Sequence, residues 1–216
     1  MAWRTMVAMA LLLSILVVCV ILILSELGWR KHFFDNEVGR KFVHITVGSF
    51  VAFWPFFLTW NEIRWISIAF LVVVALSDYF KLFHAIHSVQ RPTFGEAFFA
   101  VTVGVLTVVT HSKGVYAAAL LQMSLADGFA AILGTHFGRD NKYHLLGHNK
   151  SVVGTATFIV TSALILVGYG TFSVAGITGP VVLFGALGAA LLENVSPFGF
   201  DNITVPLFIG LLLSRG

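Results

Sequence analysis

Charge is scarce in this chain. Of 216 residues only 13 are Lys or Arg and 10 are Asp or Glu, 11% in all, where an ordinary soluble domain carries about a quarter. There is a single cysteine, Cys19, so no disulfide can close within the chain and a cysteine-rich zinc site is excluded. Its simplest reading is a small apolar residue facing lipid or protein. Three signatures of nucleotide or metal chemistry are also missing. There is no G-x-x-x-x-G-K-[ST] loop, no G-x-G-x-x-G and no H-E-x-x-H, which removes the ordinary P-loop, dinucleotide and zinc-protease classes. The basic residues sit in short joints between apolar runs, so the chain has no nucleic-acid footprint and no nucleic-acid partner is expected.

What remains is grease. Hydrophobic residues make up 58% of the chain and the mean hydropathy is +0.93, far above the soluble range. Apolar stretches of near-bilayer length recur: Thr5–Leu24, Phe42–Leu58, Trp65–Phe83, Ala97–Thr110, Val115–Gly134, Val152–Gly170, Val174–Leu192 and Ile203–Leu213. The fourth and last are short for a full crossing. The expectation is an all-α, polytopic helical bundle of seven or eight transmembrane helices, forming one membrane domain over residues 1–216. The first run is too long for a signal-peptide core and no small-x-small cleavage site follows it, so it reads as a helix.

Lysines and arginines favour cytoplasmic loops. The joints after the first, third and fifth runs hold Arg30, Lys31, Arg40, Lys41, Lys81, Arg91, Arg139, Lys142 and Lys150, while the other side holds Arg4, Arg64, Lys113 and Arg215. An extracytoplasmic N-terminus follows. The same bias gathers the unusual polar clusters at the cytoplasmic face, where nucleotides are available.

Three clusters stand out. The stretch EVGRKFVHITVG, from Glu37 to Gly48, sets Glu37 and Lys41 at i, i+4 and Arg40 with His44 on one helical face. Basic anchoring explains the arginine and lysine, but a histidine one turn deeper belongs to a bundle interior or wet cavity. In SLADGFAAILGTHFGRDNKYHLLGHNKSVVGT, Ala126, Ala130, Gly134 and Gly138 recur every four residues and form a close-packing stripe within one chain or between two. Asp127 lies beside that stripe, and a carboxylate at such depth needs a basic side chain or a bound metal. The following loop combines Arg139, Lys142 and Lys150 with Gly138, Gly147 and Gly154, and Ser151 with Thr155 opens the next helix. Lysines and helix-opening amides are phosphate binders. The third cluster, ENVSPFGFDNITVP, offers Glu193, Asp201 and Asn202 without a lysine or arginine, a donor set that suits magnesium shared with substrate phosphates. Glu96 and Arg91 are candidates for the same pocket. His84, His87, His136, His144 and His148 lack the companions a zinc site needs.

Taken in order, E-x-x-R-K-x-x-H at Glu37–His44, A-D-G-x-A-A-x-x-G at Ala126–Gly134, N-K-S-x-x-G-T at Asn149–Thr155, and Glu193 followed by D-N-x-x-x-P resemble the CTP-dependent lipid kinases, a family that includes dolichol, phytol and CTP-using diacylglycerol kinases. The resemblance covers a kinase-like core from residue 37 to 206. It implies transfer of the terminal phosphate of CTP to a membrane lipid alcohol, phytol or a polyprenol, with Mg2+, at the cytoplasmic face. The family's essential Arg-Lys pair matches Arg40 and Lys41, its essential aspartate and glycine match Asp127 and Gly134, and its N-K-S motif matches Asn149, Lys150 and Ser151. The residues read by themselves add His44 as a catalytic candidate, Gly138, Arg139 and Gly154 for nucleotide or phosphate, and Asp127, Glu193, Asp201 and Asn202 for metal. The bilayer is then both solvent and source of the acceptor, and a homo-oligomer is compatible with the small-residue stripe. Alternatives remain. One is a CTP-dependent diacylglycerol kinase or a cytidylyltransferase similar to CDP-diacylglycerol synthase, though the latter's K-D, H-G-G and D-R-x-x-D signature is missing. The other is an ion-coupled transporter, which needs polar residues along a path through the membrane and not at one face.

Overall fold

A computed structural model describes residues 2–31, 36–80, 94–146, 148–173 and 176–214. Eight helices account for nearly all of it: α1 (Ala2–Arg30), α2 (Asn36–Ala52), α3 (Trp60–Phe80), α4 (Gly95–Val109), α5 (Lys113–Phe137), α6 (Val152–Phe172), α7 (Gly179–Val195) and α8 (Asp201–Ser214). The protein is an all-α membrane bundle. Among the described residues α1, α5 and α6 contain stretches long and apolar enough to cross a bilayer, and α4, α7 and α8 are shorter apolar helices.

Local chemistry sets the boundaries. α2 starts before its apolar run and stops at Ala52, because Pro55 turns the chain into a short 3-10 helix at Trp54–Phe56. α3 begins five residues ahead of the expected Trp65 through a capping box: the Thr59 amide donates to Glu62 Oε2 at 2.7 Å, and the Glu62 amide donates to Thr59 Oγ1 at 3.4 Å. Ser112 caps α5 by accepting from the Val115 amide.

α5 is the centre of the bundle. Its membrane-length stretch is 61% buried, against 11% for that of α1 and 17% for that of α6, so the helix that carries Asp127 is the most enclosed of the three. α2, α6 and α8 pack directly on it, and the core residues Tyr116, Leu120, Met123, Phe158 and Ile209 meet there. Two glycines bring α2 unusually close. A Cβ on Gly48 would lie 2.5 Å from Ser124 Cβ, and one on Gly128 would land on the Ile45 side chain, so only hydrogen permits this approach.

One element departs from the expected open loop. After α5 the chain forms an antiparallel hairpin, β1 (Lys142–Leu145) with β2 (His148–Ser151), in the register Lys142↔Ser151, Tyr143↔Lys150, His144↔Asn149 and Leu145↔His148. Leu146 turns it at φ 46°, and the Val152 amide closes its base on Asn141 O at 3.1 Å.

Candidate active site

The N-terminal ends of α2, α4, α6 and α8, the C-terminal ends of α5 and α7, and the hairpin converge at one end of the bundle around a cavity of about 1250 Å³. Every residue assigned a catalytic, phosphate-binding or metal-binding role lines it except Gly138. Gly138 instead lies beneath the wall, where a Cβ would come 2.6 Å from Ser151 Cβ. The alternating up-and-down order of the eight helices is what brings clusters so distant in sequence to the same end.

Asp127 receives the basic side chain that its depth requires. Lys41 Nζ donates to its Oδ2 at 2.6 Å, and both side chains are nearly sealed from solvent, at 9% and 11% exposure. His44 Nε2 lies 3.4 Å from the same oxygen and 2.8 Å from the Met123 carbonyl. A carbonyl can only accept, so His44 carries a proton on Nε2, and in the neutral ring the lone pair is then on Nδ1. The backbone prepares this arrangement. Gln122–Ala126 form a π-helical turn in which the Asp127 amide reaches back to Gln122 O, leaving the Met123 carbonyl in reach of the imidazole.

Across the cavity Lys150 Nζ pairs with Glu193 Oε1 and also donates to the Glu193 carbonyl at 3.3 Å. Burial alone lowers the Lys150 ammonium's pKa, but Glu193, with Asp127 and Asp201 further off, more than offsets it and the balance lies above an ordinary lysine. Lys150 is therefore charged throughout the physiological range. Arg40, Arg139 and Lys142 complete the basic lining.

The small-residue stripe acts within the chain. A Cβ on Gly134 would lie 2.8 Å from Ser151 Oγ and 3.1 Å from Gly154 Cα, so α5 and the start of α6 touch through backbone. Ser151 secures the crossing by donating to Gly134 O at 3.4 Å while accepting from the Gly154 amide at 3.0 Å. The Val152 and Gly154 amides are thus already engaged, one by Asn141 O and one by Ser151. Positive charge on this wall is carried mainly by side chains.

On the acidic wall, Pro206 lacks the N–H that would bond the Asn202 carbonyl. Thr102 Oγ1 donates to that carbonyl at 2.6 Å instead. Asn202 Nδ2 donates to Gly95 O at 2.9 Å, which leaves Oδ1 buried with no hydrogen-bond partner among the described residues. An orphaned carbonyl oxygen at a cavity wall fits a cation or a donor group. Among the described residues no group of three or more His, Cys, Asp and Glu is gathered to hold a metal.

Several lining residues carried no sequence signal of their own. Gly95, Thr135, Leu146, Pro197 and Phe198 line the cavity because of where their elements end. Gly199, at φ 89°, fits its turn against α4, where a Cβ would sit 2.8 Å from Gly95 Cα. Gly95, not Glu96, forms the α4 wall. Arg91, Lys81, His84 and His87, and the side chains of Glu37 and His148, lie outside the described residues.

Fold and site together define a polytopic membrane protein whose charged cavity, rich in both basic and acidic groups, opens at one end of an apolar bundle. Comparison with known proteins narrows the class. The chain is 32% identical over 204 residues to a phytol kinase of Synechocystis sp., covering 91% of this chain and 86% of that protein. It is 25% identical over 202 residues to a probable chloroplastic phytol kinase 2 of Oryza sativa subsp. japonica, covering 82% of this chain and 66% of that one. No family model matches the chain, and no solved structure matches it. The chain belongs to the phytol kinase family.

Proposed function

We propose that this protein transfers the terminal phosphate of CTP to the hydroxyl of an isoprenoid alcohol, phytol or a polyprenol, at the cytoplasmic end of its bundle. The observation that carries the reading is the union, in one cavity, of Arg40, Lys41, Arg139, Lys142 and Lys150 with Asp127, Glu193, Asp201 and Asn202. The names of the two relatives support the acceptor class, and the resemblance of the motifs supports CTP.

Phosphoryl transfer depends on positioning and charge neutralisation more than on covalent help from the protein. Arg40, Lys41, Arg139 and Lys150 hold the triphosphate. The acceptor's tail lies among the helices, with its alcohol at the level of Asp127. That hydroxyl oxygen bonds to the terminal phosphorus as the bridging phosphorus–oxygen bond breaks, CDP leaves, and the alcohol proton passes to Asp127 or to His44 Nδ1. The orphaned Oδ1 of Asn202 and the neighbouring Asp201 fit magnesium, with Asp127 and Glu193 within the same cavity as further oxygen donors. When bound, magnesium supplies charge neutralisation at the phosphates, and one or two carboxylates suffice for a metal whose other ligands are phosphates and water.

The test uses membranes containing the protein, magnesium, and CTP labelled at either the γ- or the α-phosphate, with phytol, a polyprenol and diacylglycerol offered in turn and Asp127→Ala membranes as the blank. Label entering phytol or the polyprenol from γ-labelled CTP alone is the expected result. Label entering from α-labelled CTP means cytidylyl transfer and overturns the proposal.

A further inference from the structure

The hairpin supplies Lys142, Asn149 and Lys150 to the cavity, yet two strands of four residues are marginal by themselves. It must be held from outside. Two cross-strand neighbours, Tyr143 and Lys150, land on consecutive residues of α7. Lys150 reaches Glu193, and the Tyr143 hydroxyl donates to Asn194 Oδ1 at 2.6 Å while meeting Thr155 Oγ1 at 2.5 Å. Asn194 is itself pinned, its Nδ2 donating to Ala190 O at 2.9 Å with the residue 7% exposed. The tyrosine therefore joins hairpin, α6 and α7 at one point.

The two anchors differ in kind. An anionic ligand competes with Glu193 for the Lys150 ammonium, so the ion pair weakens when the ligand arrives. The link from Tyr143 to Asn194 is neutral and is indifferent to the ligand's charge. We infer that Tyr143 is the positioning residue of the phosphate-binding hairpin: its hydroxyl keeps Lys150 over the cavity once Lys150 turns from Glu193 to phosphate. The inference rests on the kinase reading for the identity of the ligand, but the geometry that carries it belongs to the hairpin.

Tyr143→Phe removes one oxygen and preserves the ring. The KM for CTP should rise about five- to tenfold with kcat within about twofold, the size expected for one net hydrogen bond. Hydrogen exchange in residues 142–151 should quicken with or without CTP while the middle of α6 and of α7 exchanges as before. Thr155→Val, which leaves the Tyr143–Asn194 bond in place, should change both readouts less than Tyr143→Phe. Exchange in 142–151 at the unsubstituted rate overturns the inference. So does faster exchange spread through α6 and α7 with KM unchanged, which marks a structural role only. The exchange readout needs no phosphate transfer, so an inactive unsubstituted protein counts against the kinase reading alone.

Discussion

A carboxylate as deep in an apolar helix as that of Asp127 demands a cation, and Lys41, 86 positions earlier, supplies it at 2.6 Å. Breaking a buried pair from one side leaves a charge without compensation, at a cost of about 3–5 kcal/mol. Lys41→Met should therefore lower the thermal midpoint in detergent by about 10 °C and reduce phosphate transfer at least a hundredfold. Adding Asp127→Asn should recover most of the lost stability and none of the activity. A double variant no more stable than Lys41→Met would show that the cost lies elsewhere than in the exposed charge of Asp127. The need for a partner was legible from the aspartate's place in an apolar run. Helical periodicity could not choose between a lysine and a metal, because that depends on how α2 lies against α5.

Among the elements, the helices were legible and their ends and crossings were not. All eight apolar runs correspond to helices, because hydropathy over 15 to 20 residues registers a membrane helix whatever it packs against. Their limits follow from two or three atoms at a time. α3 starts early because Thr59 and Glu62 cap each other, and α2 stops early because of Pro55. The hairpin escaped notice because Tyr143 and Lys150 are neighbours only across a turn at Leu146, and strand propensity in four residues is weak. The crossing of α2 on α5 rests on Gly128, which lies outside the stripe of Ala126, Ala130, Gly134 and Gly138 and in sequence is only the glycine after Asp127. Gly128→Ala should cost about 1–3 kcal/mol, since the new methyl meets Ile45 Cγ1 and Cδ1 at close quarters. Ile45→Ala removes both atoms and leaves Cβ 3.7 Å away. The pair should regain part of the stability lost by Gly128→Ala alone, read as the thermal midpoint and as transfer activity. If Ile45→Ala only adds to the loss, the strain is not at this crossing.

At the scale of the whole molecule the two ends of the bundle are chemically unequal, and that inequality predicts a direction in the membrane. The cavity end carries Arg40, Lys41, Arg139, Lys142 and Lys150. At the opposite end Arg64 is committed to α4, with Nε donating to Thr107 Oγ1 at 2.8 Å and a terminal nitrogen donating to Thr107 O at 3.1 Å, and Lys113 lies over the Phe56 ring at 5.9 Å. The proposed function therefore predicts a cavity that faces the cytoplasm, since positive charge is retained on that side during insertion and the proposed donor, CTP, is found there. The two grounds are independent, since one concerns assembly and the other substrate supply. In a Cys19→Ala background, Asp140→Cys beside the hairpin and Lys113→Cys at the start of α5 place one exposed thiol at each end. A membrane-impermeant maleimide applied to intact cells should label Lys113→Cys at once and Asp140→Cys only after permeabilisation. The reverse pattern would face the cavity away from CTP, and the donor would then have to be sought among phosphorylated compounds on the far side of the membrane.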